Sequence, residues 1–168
     1  MIRKLVAICA IGLAAGCGSM GPAKLDPGTT RAEVEKAMGK PAETLVRANG
    51  DTLLYFSRLP DGRAMYVATI GPDGKLRGEV EQRLNRKNIA GIKVGADAKE
   101  MRELLGPPYK AGRQKVSVGF ESVERDVWEY PWKDGQELRL LWLQFADGKL
   151  KEKVDSRDAV ADKTMQLN

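Results

Sequence analysis

Apolar side chains recur at positions i, i+3 and i+4 in two short segments of the chain, one between Gly28 and Pro41 and the other between Gly95 and Pro108. This spacing places them on one face of a helix. They are Val34, Ala37 and Met38 in the first segment and Met101, Leu104 and Leu105 in the second. A helix this short is unstable in isolation. The pattern therefore predicts two short helices, each packed on another element of the fold.

The same residue types mark both ends of each predicted helix. The side chains of Thr30 and Asp97 can accept hydrogen bonds from free backbone N–H groups at the helix start, and a glutamate follows each of them three positions later. A glycine and then a proline follow the last apolar residue, an order that ends helices. The glutamates are Glu33 and Glu100, and the helix-ending residues are Gly39 and Pro41 in one copy and Gly106 and Pro108 in the other. Because the two segments match position by position, the sequence predicts a tandem repeat.

Short β-favouring segments follow each helical unit, and Asn-Gly or Asp-Gly pairs separate most of them, which is a strong local signal for a hairpin turn. The polar residues 110–124 are predicted to form an extended hairpin or loop, and Asn85 is predicted to cap one extra helical turn that ends at Gly91. We predict antiparallel strands over residues 43–47, 52–59, 63–70 and 75–83 in the first repeat and over residues 126–132, 136–146 and 149–157 in the second.

Together these elements predict an α+β fold, a tandem repeat in which a short helical unit packs on a three- or four-stranded antiparallel sheet. The predicted boundaries are residues 28–84 for the first repeat and 85–157 for the second, followed by a flexible tail over 158–168. The two sheets could also join edge to edge into one continuous sheet, which would remove the edges that small sheets leave exposed.

The N-terminal residues have the features of a bacterial export signal. The first residues are basic, an apolar run follows, and Leu13-Ala14-Ala15-Gly16-Cys17 resembles a lipobox. This resemblance implies that residues 1–16 are removed, that Cys17 carries lipid, and that residues 17–27 tether the domain to a membrane. Gly18, rather than Asp, follows the cysteine, which points to the outer membrane, facing the periplasm. The alternative is an ordinary signal peptide or a weak anchor helix.

The residue inventory excludes several kinds of catalysis. There is no histidine, and the two cysteines are Cys9, which leaves with the predicted signal, and Cys17, which the lipid would occupy. Ser/His/Asp and Cys/His mechanisms are therefore excluded, and we predict no catalytic residue, no metal site and no cofactor. The formal net charge is +5, but the basic residues are dispersed along the chain, so we predict no nucleic-acid partner.

Aromatic residues supply the candidate site for a protein partner. Trp128, Tyr130 and Trp132 alternate along a predicted strand and therefore face the same side. Trp142 lies on the next predicted strand, and Tyr55 in the first repeat would extend the same face. Exposed tryptophan and tyrosine dominate binding hot spots. The alternative is that these aromatic residues form the core beneath the helices.

Four carboxylates lie close together in the second repeat, which raises the alternative of a hydrolase with paired acid and base groups. Because Arg125 lies among them and no feature of the sequence indicates a pocket, a solvated charged strand is the preferred interpretation. The four are Glu121, Glu124, Asp126 and Glu129.

The repeated motif G-[TS]-[TS]-x-x-[EV]-V-x-x-x-x-G-x-P, followed by a short antiparallel sheet, resembles the SmpA/OmlA domain of BamE-like lipoproteins. The resemblance covers residues 28–157, and its duplication is similar to the β-lactamase inhibitor protein fold. It implies a non-enzymatic outer-membrane lipoprotein, a protein-interaction module with an envelope protein as partner and an accessory role in outer-membrane β-barrel protein assembly and envelope integrity. The alternative function is a β-lactamase-inhibitor-like binder of a periplasmic enzyme.

Overall fold

The computed structural model describes residues 24–159. The predicted signal peptide, Cys17 and most of the predicted tail lie outside these residues. The helices are α1 (Arg31–Met38), α2 (Arg86–Ala90) and α3 (Ala98–Leu105), and the strands are β1 (Glu43–Val46), β2 (Thr52–Ser57), β3 (Met65–Ile70), β4 (Glu81–Gln82), β5 (Lys110–Val118), β6 (Glu121–Asp134), β7 (Glu137–Ala146) and β8 (Lys149–Arg157). None of the helices in this part of the chain has the length and apolar character needed to cross a bilayer.

The fold is mostly β, so the predicted α+β class is wrong. The strands form two separate four-stranded antiparallel sheets, β1-β2-β3-β4 (sheet 1) and β5-β6-β7-β8 (sheet 2). The two longer helices have only eight residues each and bury two side chains each. Of the two alternatives predicted for residues 110–124, the extended hairpin is the one that forms, and it is made of β5 and the start of a 14-residue β6. The sheets, not the helical units, therefore dominate the fold.

Local signals for the helix ends operate as the sequence indicates. The Glu33 carboxylate accepts hydrogen bonds from the hydroxyl and backbone N–H of Thr30, and these bonds lower the pKa of Glu33. In α3 the Glu100 carboxylate accepts from the backbone N–H of Asp97 at 3.0 Å. The side chain of Asn85 caps α2 by accepting from the backbone N–H three residues later. Capping of this kind fixes where each helix begins, although it does not decide how the helices pack.

Sheet 1 is buried on both of its faces. One face packs on α1 in a cluster of apolar residues that is separate from the rest of the core. The opposite face belongs to the main core, which also contains α2, α3 and sheet 2. The residues buried against α1 are Leu54, Phe56, Tyr66, Ala68 and Ile70, and those on the opposite face are Leu53, Tyr55, Met65 and Val67.

Helix α3 lies between the two sheets. The Tyr55 hydroxyl of sheet 1 donates to the backbone carbonyl of Glu103 at 2.6 Å. From the other side, the Tyr130 hydroxyl of sheet 2 donates to the backbone carbonyl of Gly106 at 3.0 Å. Carbonyl groups at a helix C-terminus lack partners within the helix, so both sheets hold α3 through the same kind of group. The resulting order of layers is α1, sheet 1, α2 with α3, and sheet 2.

Candidate binding surfaces of the second sheet

Strand alternation divides the predicted aromatic site between the core and two surfaces. Tyr55, Tyr130 and Trp132 are at most 1% exposed. Trp128 is partly buried at the edge of the main core and lies on the same face of β6 as Tyr130 and Trp132. We call this the inner face of sheet 2. Trp142 lies opposite Glu129, on the other face of the sheet, which we call the outer face.

The polar groups of the buried aromatic residues all have partners within the fold. The hydroxyls of Tyr55 and Tyr130 donate hydrogen bonds to carbonyl groups at the end of α3. The indole N–H of Trp132 donates to the Asp155 carboxylate at 3.0 Å. Burial raises the pKa of Tyr55 to about 12, and it also raises the pKa of Tyr130. These three side chains hold the fold together, which leaves Trp128 and Trp142 as the predicted residues with surface open to a partner.

A groove on the inner face runs past the start of α3, and Trp128 and Phe145 form its floor. Their ring centroids lie 4.6 Å apart. The main cavity has a volume of about 300 Å³, and a neighbouring cavity of about 200 Å³ shares part of its lining. We call the two together the aromatic groove. Its polar lining residues are Arg113, Glu124, Asp126 and Asp147.

Beyond the groove, the β5–β6 hairpin extends past the end of β7. Residues 121–125 pair with 114–118 of β5, whereas pairing of β6 with β7 begins at Asp126. This two-stranded extension, here called the ribbon, turns at Gly119 and Phe120. The Phe120 side chain is fully exposed. We did not select Phe120 from the sequence, although a glycine followed by an aromatic residue between two β-favouring segments was a usable signal for a hairpin tip.

The four clustered carboxylates do not converge. Glu124 and Asp126 lie on the inner face of β6, while Glu121 and Glu129 lie on the outer face, because neighbouring residues of a strand point to opposite sides. Arg113 forms an ion pair with Asp126 at 3.3 Å. Within residues 24–159 there is no group of three or more His, Cys, Asp or Glu side chains that could hold a metal ion.

A further cavity, of about 250 Å³, lies between α3 and sheet 1. Two arginines and two glutamates line it, so its charges balance. Arg47 pairs with Glu103 at 2.6 Å, and Arg83 pairs with Glu81 at 3.1 Å. The Nε of Arg83 is buried without a hydrogen-bond partner among the described residues. Because three of its four charged side chains, Arg47, Glu103 and Arg83, already form ion pairs within the chain, this cavity is a weaker candidate than the aromatic groove.

No family model matches the chain, and no curated protein matches it. Among solved structures, one match is a crystal structure described as a "putative beta-lactamase inhibitor protein" from Streptococcus mutans. The two chains are 20% identical, the match covers 77% of this chain and 83% of the other, and the TM-score is 0.34. The resemblance to BamE-like lipoproteins stays a prediction.

Proposed function

We propose that this chain is a non-enzymatic protein-binding module of the bacterial cell envelope, held by lipid on Cys17 at the periplasmic face of the outer membrane. The observation that carries the binding role is the fully exposed Phe120 at the tip of a ribbon that projects beside the aromatic groove. A phenylalanine in this position exposes apolar surface that the fold itself does not bury.

The arrangement has the chemistry of a protein-binding surface. Burying one phenylalanine side chain contributes about 1.5–3 kcal/mol, and aromatic anchors surrounded by polar groups are typical of interface centres. The groove supplies the second half of such a surface, since Trp128 and Phe145 form an apolar floor and the Arg113–Asp126 pair lies on its rim. A partner segment that contacts both would bury the ribbon tip and the groove together.

The envelope location rests on the N-terminal residues. The lipobox-like sequence ends at Cys17, and only a short tether separates it from α1. Each buried methylene of an acyl chain contributes about 0.8 kcal/mol, so two or more chains would anchor the protein stably. The predicted family role makes a component of β-barrel protein assembly the favoured partner.

A second candidate function, inhibition of a periplasmic enzyme, is favoured by the shape of the ribbon. A narrow hairpin with an exposed aromatic tip can enter a cleft, and the active site of an enzyme is such a cleft. This candidate uses the same Phe120 but predicts a different partner.

Site-specific photocross-linking in the native cells would test both candidates. A photoreactive phenylalanine analogue replaces Phe120 in one chain and Val46 in a control chain, because Val46 is also exposed but lies on sheet 1. We expect a discrete adduct from position 120 that is absent from position 46. An assembly component in the adduct supports the first candidate, a hydrolytic enzyme supports the second, and no adduct specific to position 120 contradicts the binding role.

The anchor is tested separately by palmitate labelling and membrane fractionation. The wild-type chain is expected to be labelled and to sediment with the outer membrane, whereas Cys17→Ala is expected to lose both properties. Labelling that survives in Cys17→Ala would contradict the assignment of the lipid to this residue without affecting the Phe120 result.

A further inference from the structure

The two repeats are joined by a charged interface between sheet 1 and α3. Arg102 of α3 pairs with Glu43 of β1 at 2.9 Å, and Glu103 pairs with Arg47 at the end of the same strand at 2.6 Å. The hydroxyl of Tyr55 bonds the backbone of Glu103 between these pairs. Sheet 1 therefore packs against α3 of the second repeat through apolar side chains and through two charged side chains, Glu43 and Arg47.

Among residues 24–159, no helix of the core clusters packs on the corresponding face of sheet 2. All three helices in the described part of the chain belong to the two core clusters, and neither cluster includes the outer face of sheet 2. Val127 and Trp142 of this face occupy the positions that Leu53 and Val67 occupy in sheet 1, as the strand registers show. Trp142 is only partly buried, and a cavity of about 200 Å³ lies beside it.

In the same described part of the chain, no sheet packs on the outer side of α1. In the repeat, Glu35 and Lys36 of α1 correspond to Arg102 and Glu103 of α3. Gly39 corresponds to Gly106, and no atom lies within 4 Å of the Cβ position at Gly39. The outer side of α1 and the outer face of sheet 2 thus correspond to the two sides of the interface between α3 and sheet 1. Neither of them has such a counterpart within residues 24–159.

The charges at these two ends are complementary. Lys110 on β5 occupies the position of Glu43, so the Arg–Glu pair within the chain corresponds to a Glu35–Lys110 pair between chains with both signs reversed. Glu129 occupies the position of Tyr55, opposite Lys110 in the sheet, and it would face Lys36. This one reversed pair, together with the attraction expected between Glu129 and Lys36, favours a second copy as the occupant.

We propose that α1 of one copy packs on the outer face of sheet 2 of the next copy, head to tail, in the manner of the interface between the repeats. Such a contact joins unlike surfaces, so it leaves one free end of each kind and can propagate along a membrane. This interface is separate from the ribbon and the aromatic groove, which stay available to another protein.

Cross-linking between full-length chains in the membrane tests the geometry. One chain carries Glu35→Cys and the other, with a different tag, carries Lys110→Cys. A short thiol-reactive cross-linker is expected to join position 35 to position 110, but not 35 to 35 or 110 to 110. Ala32→Cys with Lys110→Cys is the matched control, because the equivalent of Ala32 in the repeat, Lys99, is exposed.

Charge reversal tests the complementarity. In detergent-solubilised full-length chain, Glu35→Lys or Lys110→Glu alone is expected to weaken self-association about tenfold, because an attraction becomes a repulsion. The chain that carries both substitutions is expected to recover association in sedimentation equilibrium. Symmetric cross-links, the absence of a link between copies, a link to a different protein instead, or a double variant that stays weak would each overturn the proposal.

Discussion

Sheet 1 and sheet 2 each follow a copy of the same short helical unit, but they occupy different environments. In β2, Leu53–Phe56 are four consecutive buried residues, because α1 covers one face of sheet 1 and α3 covers the other. In β7 the burial alternates only from Leu141 to Phe145, where the buried side chains lie on the inner face; on the outer face Leu138 is buried and Trp142 is partly exposed. A continuous apolar strand indicates a sheet buried on both sides, and an alternating strand indicates one free face. The outer face of sheet 2 is therefore less completely covered than either face of sheet 1.

The largest expected effect comes from comparing Trp132→Ala with Trp142→Ala. Trp132 is buried on the inner face and donates a hydrogen bond to Asp155, so its removal is expected to cost about 3–5 kcal/mol of unfolding free energy. Trp142 lies partly exposed on the outer face, and its loss is expected to cost about 1 kcal/mol. Urea denaturation measures both. Equal losses would show that the outer face is also core.

Features set by neighbouring residues could be predicted from the sequence. The capping residues Thr30 and Asn85 act as expected because a cap depends only on the next few positions. The Asp147-Gly148 hairpin forms for the same reason, and both of its residues have a positive φ. Repetition of the helical unit is likewise visible in the printed sequence.

Features set by long-range packing could not be predicted. The position of α3 between two sheets depends on contacts such as Tyr55 with Glu103, which are distant in sequence. The fold class was wrong because two four-stranded sheets outweigh helices of at most eight residues. The exposed, polar sequence of β5 left a hairpin and a loop both open for residues 110–124. Phe120 was overlooked within the same polar segment. The division of the aromatic residues between core and surface required the strand register.

A smaller difference in stability is expected between alanine substitutions at Gly39 and Gly106, which occupy equivalent positions in the two repeats. Gly39 and Gly106 have φ values of 88° and 80° with ψ values of −169° and −171°. This region is essentially restricted to glycine, so substitution by alanine costs about 1–3 kcal/mol of backbone strain at either site. At Gly106 the added Cβ would also lie 2.7 Å from Cδ1 of Tyr55 and 2.9 Å from Cγ of Met65. We expect Gly106→Ala to lose about 1–3 kcal/mol more than Gly39→Ala, as measured by the denaturation midpoint.

Equal costs at the two glycines would mean that sheet 1 yields to α3 without strain. In that case the interface between the repeats would be loosely packed, and the distinction between a sheet covered on both sides and one covered on a single side would lose its energetic basis.

The smallest expected effect concerns Tyr55 of sheet 1, whose hydroxyl donates a hydrogen bond to α3. The pKa of Tyr55 is raised to about 12 in the folded chain, above its value of about 10 in an unfolded chain. The folded state therefore retains a proton that the unfolded state loses between these values. The stability from this group is fully present below about pH 10 and is lost as the pH rises toward about 12. Circular dichroism during an alkaline titration follows this loss.

Replacing the hydroxyl of Tyr55 or of Tyr130 tests which tyrosine causes the loss of stability at alkaline pH. Tyr55→Phe removes the bond to Glu103 and is expected to cost about 0.5–1.5 kcal/mol at neutral pH, while making the loss of stability between pH 10 and 12 less steep. Tyr130→Phe is the matched variant on sheet 2, since its hydroxyl bonds the same end of α3. If Tyr55→Phe leaves the steepness unchanged, ionisation of Tyr55 does not drive the transition, and sheet 1 holds α3 through its ion pairs and apolar contacts instead.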